Sequence, residues 1–329
     1  MLSKEEILKK RAKARNKSEP KEKDRSGRVI LILLLISSGL ALTLYLSNLL
    51  PGIWQKMFVP KVIRPQDPVL VSPTIIESAP TPWQQSLKED LTSFVSQKDG
   101  FYGIYLYQIE DSQFIGVNHQ ETFSGASLMK LPVIITAYWR SERQLFDLTG
   151  EYRLREEDKL AGNGSVYLQP EGTIYTYRNL AKLAIEQSDN TANSVIAKSL
   201  GEEKIQQVID FLGLEKTNYS DYQTSPENIG RLLVGLHQGE FLTAVHSQEI
   251  IGYLTQTIFN DQIPAALPED IIVAHKIGFD DQILHDAAII FTDNGDFVLV
   301  IMSRGVSNDQ AQENLEIITQ RVWEIISLR

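Results

Sequence analysis

Residues 125–136 read Gly-Ala-Ser-Leu-Met-Lys-Leu-Pro-Val-Ile-Ile-Thr, and the chain stays helix-compatible to Arg143. The run from Ser127 is apolar on all sides at first, which predicts a buried helix over 127–143. Lys130 stands among Leu128, Met129, Leu131, Val133, Ile134 and Ile135, a poor setting for an idle charge. Positions i and i+3 of a helix share a face, so the Lys130 amine is expected beside the Ser127 hydroxyl. A serine hydroxyl needs a neighbouring base to become a nucleophile. A lysine crowded by burial and other cations gives up its proton easily enough to serve as that base. The bland alternative for such a Ser-x-x-Lys is a helix N-cap with a solvated lysine.

Upstream, residues 101–108 (FYGIYLYQ) are aromatic and β-prone. Residues 114–118 are expected to pair with them across the polar Glu110-Asp111-Ser112 turn. Downstream, helical periodicity recurs at 177–186, 193–200, 203–212, 226–236 and 247–256. Strands are expected at 271–276, 287–292 and 297–302, the last two joined by Asp293-Asn294-Gly295-Asp296. An amphipathic helix closes the chain from Asn308 to Arg329. Strands at both ends with helices between them predict an α/β sandwich: an antiparallel sheet flanked by helices, plus a helical lobe.

Two further triplets fall on this frame. Ser188-Asp189-Asn190 precedes one helical segment. All three residue types favour caps and turns, so a capping loop is the plain alternative. Lys276-Ile277-Gly278 follows the apolar run 271–274. It places a lysine at the end of an inner strand, with a glycine for close backbone approach; the plain alternative is a solvated strand end.

Taken singly each triplet is ordinary, but their order and spacing are not. Together they resemble the class A β-lactamase and penicillin-binding serine hydrolase superfamily, whose signature is S-x-x-K, S-D-N and K-T-G. The resemblance spans most of residues 83–329. It includes the Lys130-Leu131-Pro132 continuation, and Pro170-Glu171-Gly172-Thr173 followed by the Tyr177-Arg178-Asn179-Leu180 helix.

The resemblance implies roles. Ser127 would be the acylated nucleophile and Lys130 its base or relay. Ser188 would pass a proton to the leaving nitrogen, and Asn190 would orient Lys130 and the substrate amide. Lys276 would attract the substrate carboxylate and help polarise Ser188. Asn190, Lys276, Ile277 and Gly278 would line the substrate, and the backbone N–H groups of Ser127 and Phe279 would form the oxyanion hole. Such preorganised donors are worth roughly 3–4 kcal/mol each.

There are two departures from the pattern. Ile277 replaces the family's Thr or Ser, removing one hydroxyl contact to the substrate carboxylate. Class A enzymes also carry a Glu after Ser-Asp-Asn, usually as E-x-x-L-N, that activates the deacylating water. Residues 214–226 (LEKTNYSDYQTSP) run almost directly into the next helix without that pattern. Glu227 lies near the expected distance, but Ser225-Pro226-Glu227 reads as N-cap, N1 and N2 of a helix, where an acid is favoured in any case. Glu215 and Asp221 are weaker candidates.

The implied activity is that of a serine hydrolase that hydrolyses β-lactams through a Ser127 acyl-enzyme, and the missing Glu pattern makes slow deacylation the expectation for this chain. A D-Ala-D-Ala peptidase or transpeptidase, and a penicillin-acylated sensor that does not turn over, share the same apparatus. No cofactor is expected. The five histidines, His119, His237, His246, His275 and His285, form no H-x-x-x-H or H-E-x-x-H pattern, so no metal is expected. For His275, beside Lys276, and for His285 polar structural roles are expected. Gly162-Asn163-Gly164-Ser165 reads as a loop without the context of a phosphate cradle.

The chain has 329 residues and a formal net charge of −10, while its first 28 residues hold eleven Lys/Arg and five Asp/Glu. The remainder is therefore more acidic than the total, which argues against a nucleic-acid partner. Cysteine is absent, excluding disulfides and a thiol nucleophile. No charge occurs in 29–55, and residues 29–50 (VILILLLISSGLALTLYLSNLL) are long and apolar enough to cross a bilayer. Tyr45 and Trp54 lie toward one end. The basic residues before the span predict a cytoplasmic N-terminus (1–28), a single-pass anchor (29–50) and an extracytoplasmic remainder. A cleaved signal fits less well, since the apolar run is long and no A-x-A-like site follows closely. Seven of the thirteen prolines fall in 51–82, predicting a semi-rigid spacer before one folded unit, 83–329.

Overall fold

The structure, a computed structural model, describes residues 81–328. The expected basic tail, membrane span and most of the proline-rich spacer lie outside the described residues. Among those described, no helix is long and apolar enough to cross a membrane.

The centre is a five-stranded antiparallel sheet of β1 (Phe101–Gln108), β2 (Gln113–Val117), β7 (Ile272–Asp280), β8 (Ile283–Phe291) and β9 (Phe297–Arg304), in the order β2-β1-β9-β8-β7. The first and last portions of the domain thus form one sheet, with β9 at its middle. β9 is buried along almost its whole length because both faces are covered, so its sequence is a continuous apolar run rather than an alternating one. On one face, Tyr102, Ile104, Leu299 and Ile301 pack against Leu315, Ile318 and Val322 of the C-terminal helix α8 (Asn308–Ile326). The three- and four-residue spacing on α8 is the expected apolar stripe. On the other face, Tyr105, Val298, Val300 and Met302 meet the helical lobe. That lobe holds α2 (Lys130–Glu142), α3 (Tyr177–Glu186), α4 (Asn190–Leu200), α5 (Glu202–Phe211), α6 (Pro226–Gln238) and α7 (Ala244–Leu254). The expected sandwich with a helical lobe is what the chain forms.

One major element was not anticipated. Residues Pro82–Ser96 form a helix, α1, packed beside α8, where Arg321 and Asp90 pair at 2.5 and 2.7 Å. Pro82, counted with the spacer, is its first-turn proline, and Thr81 and Gln84 form a capping box. Thr-Pro-x-Gln is a helix-start signature that the proline-rich context concealed. Two short antiparallel pairings were also missed: β3 (Phe123–Ser124) with β6 (Gln223–Thr224), and β4 (Glu151–Arg153) with β5 (Ile174–Thr176). Strands of two or three residues carry too little pattern to read.

Two expectations are corrected. Ser127 does not begin an α-helix: Ala126–Met129 is a turn of 3₁₀ helix, and the α-helix begins at Lys130. In a 3₁₀ turn residues i and i+3 eclipse each other, which sets Ser127 over Lys130 more directly than an α-turn would. Lys276 is not at the end of an inner strand. It sits mid-way along β7, which is the sheet's edge. The apolar run that suggested an inner strand arises because the 3₁₀ turn and helix α7 cover this edge and face.

Candidate active site

Three elements bring the sequence triplets together. The 3₁₀ turn carries Ser127, and the first residue of α2 is Lys130. The connection from α3 to α4 carries Ser188 and Asp189, and Asn190 is the first residue of α4. The edge strand β7 carries Lys276 and Gly278. The Lys130 amine donates to Ser127 Oγ at 2.7 Å, to Asn190 Oδ1 at 2.9 Å and to Ser188 Oγ at 3.3 Å. The Lys276 amine reaches Ser188 Oγ at 2.9 Å and the Ile277 carbonyl at 3.1 Å. The Ser188 hydroxyl is thus shared by two lysines, and Lys130 links it to Ser127.

Both lysines are buried, at 3% and 0% exposure. Burial disfavours their charged forms. It lowers the Lys130 pKa from 10.5 to about 8, with the Asp189 carboxylate opposing the shift. Burial lowers Lys276 well below its ordinary value, helped by the charge of Lys130 and opposed by Asp286. A pKa near 8 leaves roughly a tenth of Lys130 neutral at pH 7, which suffices for a base matched to physiological pH.

The backbone around the site is held in uncommon conformations. Ala126, just before Ser127, has φ +43°, and Ser188 has φ +52°. Non-glycine residues there are strained by about 1–3 kcal/mol unless their surroundings fix them. At Ser188 the fixing group is Asp189, fully buried, whose two oxygens accept from Ala192 N–H and Val166 N–H at 2.8 Å each. Asp189 caps α4 with one oxygen and ties down the 160–166 loop with the other. That loop answers in kind: Asn190 N–H donates to the Asn163 carbonyl at 3.0 Å and Asn190 Nδ2 to the Ala161 carbonyl at 3.3 Å. A Cβ on Gly162 would collide with Asn190 Nδ2, and one on Gly164 with Asp189 Oδ2; both glycines have positive φ. The Gly-Asn-Gly-Ser segment, read from sequence as a plain loop, is the clamp on Ser188–Asn190. Two glycines within three residues were its signal.

On the opposite wall, Gly278 packs against the nucleophile turn. A Cβ there would stand 3.2 Å from the Gly125 carbonyl and 3.3 Å from Leu128 N, so glycine permits the close approach of β7 to Ser127. Phe279 follows on this strand and is partly exposed; the edge position leaves alternate N–H groups of β7 without a strand partner. The Ile277 side chain is 3% exposed. It alternates with Lys276 and Gly278 along the strand, so its contribution toward Lys276 is its carbonyl.

The two neighbouring histidines are structural. His275 is fully buried and bonded to Asp286 at 2.9 Å. His285 Nε2 donates to the Ser124 carbonyl at 2.8 Å, and its Nδ1 accepts from Ser303 N–H at 3.1 Å. That pattern requires the neutral ring, and burial lowers its pKa to about 4.

Glu227 takes the helix-start position anticipated for it: Ser225 caps α6, Pro226 is at N1, and Glu227 N–H bonds the His119 carbonyl at 3.0 Å. Its carboxylate lies 3.8 Å from His119 Nε2, not in the lysine cluster. Glu215 and Asp221 are exposed. A cleft of about 730 Å³ opens from Lys130 and Asn190, and Glu202 is the one carboxylate among the described residues lining it.

Residues 86–326 match the model of the family described as the beta-lactamase enzyme family (Beta-lactamase2). A curated beta-lactamase of Proteus vulgaris is 24% identical over 279 residues, covering 79% of this chain and 90% of that protein. Among solved structures, PBP-A superposes with a TM-score of 0.71 at 23% identity, covering 74% of this chain and 97% of that one. A point mutant of PBP-A, solved as an acyl-enzyme complex with penicillin-G, gives 0.70 at 23% identity, with the same coverage. A beta-lactamase from Sphaerobacter thermophilus DSM 20745 also gives 0.70, at 21% identity, covering 74% of this chain and 98% of that one.

Proposed function

The chain belongs to the beta-lactamase enzyme family, and on that premise we propose that it is a serine acyl-transfer enzyme that β-lactams acylate at Ser127 and leave slowly. One observation carries the reading: the Lys130 amine, lowered to a pKa of about 8, is 2.7 Å from Ser127 Oγ. Neutral Lys130 takes the hydroxyl proton as Oγ attacks the lactam carbonyl. The tetrahedral oxyanion is received by the Ser127 and Phe279 N–H groups. Ser188, polarised by Lys276, gives its proton to the departing nitrogen and regains one from the Lys130 ammonium 3.3 Å away, and Asn190 holds the acyl-side amide. Lys276 receives the substrate carboxylate, with Ile277 and Gly278 lining that side of the site. Each group needed for acylation is present in one cluster. Deacylation requires a carboxylate that aims water at the ester, and Glu227, Glu215 and Asp221 are all engaged or exposed elsewhere. That asymmetry also supports a second reading, in which the natural acyl donor is a peptide ending in D-Ala-D-Ala and an amine, rather than water, relieves the ester.

Sequence supports a location for this chemistry. The charge asymmetry around residues 29–50 favours a catalytic domain held outside the cytoplasm on a single-pass anchor. A reporter that works only outside the cytoplasm, fused after Arg329, is expected to be active, and activity of a cytoplasmic reporter there overturns the topology. For the chemistry, a fluorescent penicillin is expected to label the protein covalently. Ser127→Ala is expected to lose the label with little change in melting temperature; undiminished labelling would remove Ser127 from its role.

A further inference from the structure

The connection between α5 and α6, residues 212–225, borders the cleft through Tyr219 and Tyr222. The cleft starts at Lys130 and Asn190, within reach of Ser127, and runs along one face of α4 past Asn193, Ser194, Ala197 and Lys198 to Glu202 at the start of α5. Tyr219 and Tyr222, with ring centroids 5.9 Å apart, form its far wall. At 1.5 Å of rise per residue, the path from Asn190 to the end of α4 is roughly 15 Å long. A compact acyl group fills only its first third, whereas an extended peptide of about four or five residues spans it.

Three features give the cleft a chemistry. Asn193 is 5% exposed and lines the cleft, yet its Oδ1 has no hydrogen-bond partner. Buried acceptors are normally satisfied, so a small turn of this amide toward the cleft offers an acceptor to an incoming N–H. Lys198 is already held by Asp158 at 3.6 Å, which offsets its charge. Glu202, at the far end, has no hydrogen bond or ion pair among the described residues. Its charge is felt along the wall: burial first, then Tyr222 and Glu202, push the Tyr219 pKa up to about 12. The cleft therefore begins with amide-binding groups, passes an unused acceptor and ends in an unpaired carboxylate between aromatic and small side chains.

We infer that this cleft is an acyl-side subsite for an extended peptidyl substituent bearing an ammonium group at its far end, received by Glu202. The inference rests on the acyl-enzyme reading above and adds to it the class of acyl donor.

The test uses the full protein and three acylating agents: benzylpenicillin, and two 6-acylaminopenicillanic acids whose acyl arm is tetraglycine, one with a free amino terminus and one N-acetylated. Second-order rate constants for adduct formation are read by intact-protein mass spectrometry at low ionic strength. The free-amine compound is expected to react about threefold faster than the acetylated one, as suits an ion pair at the mouth of a cleft. The preference should shrink at about 0.5 M salt. Glu202→Gln is expected to abolish it while leaving the benzylpenicillin rate unchanged. Equal rates for the two peptidyl compounds in the parent, with benzylpenicillin reacting normally, would overturn the inference alone. A preference that survives Glu202→Gln would also overturn it. Absence of an adduct with all three compounds would overturn the acyl-enzyme reading itself.

Discussion

The Lys130 amine holds three oxygens at once, on Ser127, Ser188 and Asn190, and its burial makes the proton it carries easier to lose. If Lys130 is the base of the proposed mechanism it must be neutral, so acylation is expected to rise about tenfold per pH unit below about pH 8 and level off above it. A stopped-flow pH profile of acylation checks this. The same burial has a stability signature. In the folded protein the Lys130 pKa is depressed from 10.5 to about 8. The cost of burying its charge is therefore absent above pH 10.5, grows as pH falls toward 8, and is constant below that. Its size is about 3 kcal/mol. Lys130→Met is accordingly expected to be inactive yet more stable at neutral pH by up to about 3 kcal/mol, with the gain gone above pH 10.5, as measured by urea melts across pH. His285 works in the other range. Its folded pKa of about 4, against 6.5, supplies stability that is complete above pH 6.5 and is lost as pH falls to 4.

At the scale of elements, the candidate site is assembled by close backbone approach at Gly164 and Gly278. Gly164, with φ +107° and Asp189 filling the space a Cβ would need, clamps the Ser188–Asn190 turn. Gly164→Ala is expected to cost about 2 kcal/mol or more and to slow acylation further than that loss of stability explains, because Asp189 must shift. Gly278→Ala, tight against Gly125 and Leu128, is expected to slow acylation at nearly unchanged melting temperature. Acylation rate against denaturant midpoint for each variant separates the two effects. The triplets themselves were legible because the family resemblance is carried by their residue types, order and spacing. The 160–166 clamp was not, since its residues hold the site through carbonyls and missing side chains, which leave only glycines as a trace. The 3₁₀ turn was hidden for a related reason: Ser127-Leu128-Met129 is as compatible with an α-helix as with the tighter turn, and packing against β7 decides between them.

At the scale of the molecule, the alternation of strand, helices and strand was enough to assemble a two-faced sheet from opposite ends of the domain. β9 read as an apolar run because both of its faces are covered. Lys276 was placed on an inner strand for the same reason, although β7 is the edge: helices and the nucleophile turn bury it as thoroughly as a neighbouring strand would. What sequence could not supply was α1, whose capping box was read as part of a spacer. On the proposed reading, the lysine–serine cluster acylates, and Glu227, Glu215 and Asp221 do not stand in that cluster to clear the ester. General-base assistance is typically worth about 10²- to 10⁴-fold, so its loss from one step alone would separate the two half-reactions in time. The most direct measurement is an intact-protein mass spectrum followed over time after adding benzylpenicillin. One adduct on nearly every molecule is expected, mapped to Ser127, persisting for minutes or longer and unaffected by Glu227→Gln. Clearance within seconds in the parent, with trapping in Glu227→Gln, would contradict the proposed reading.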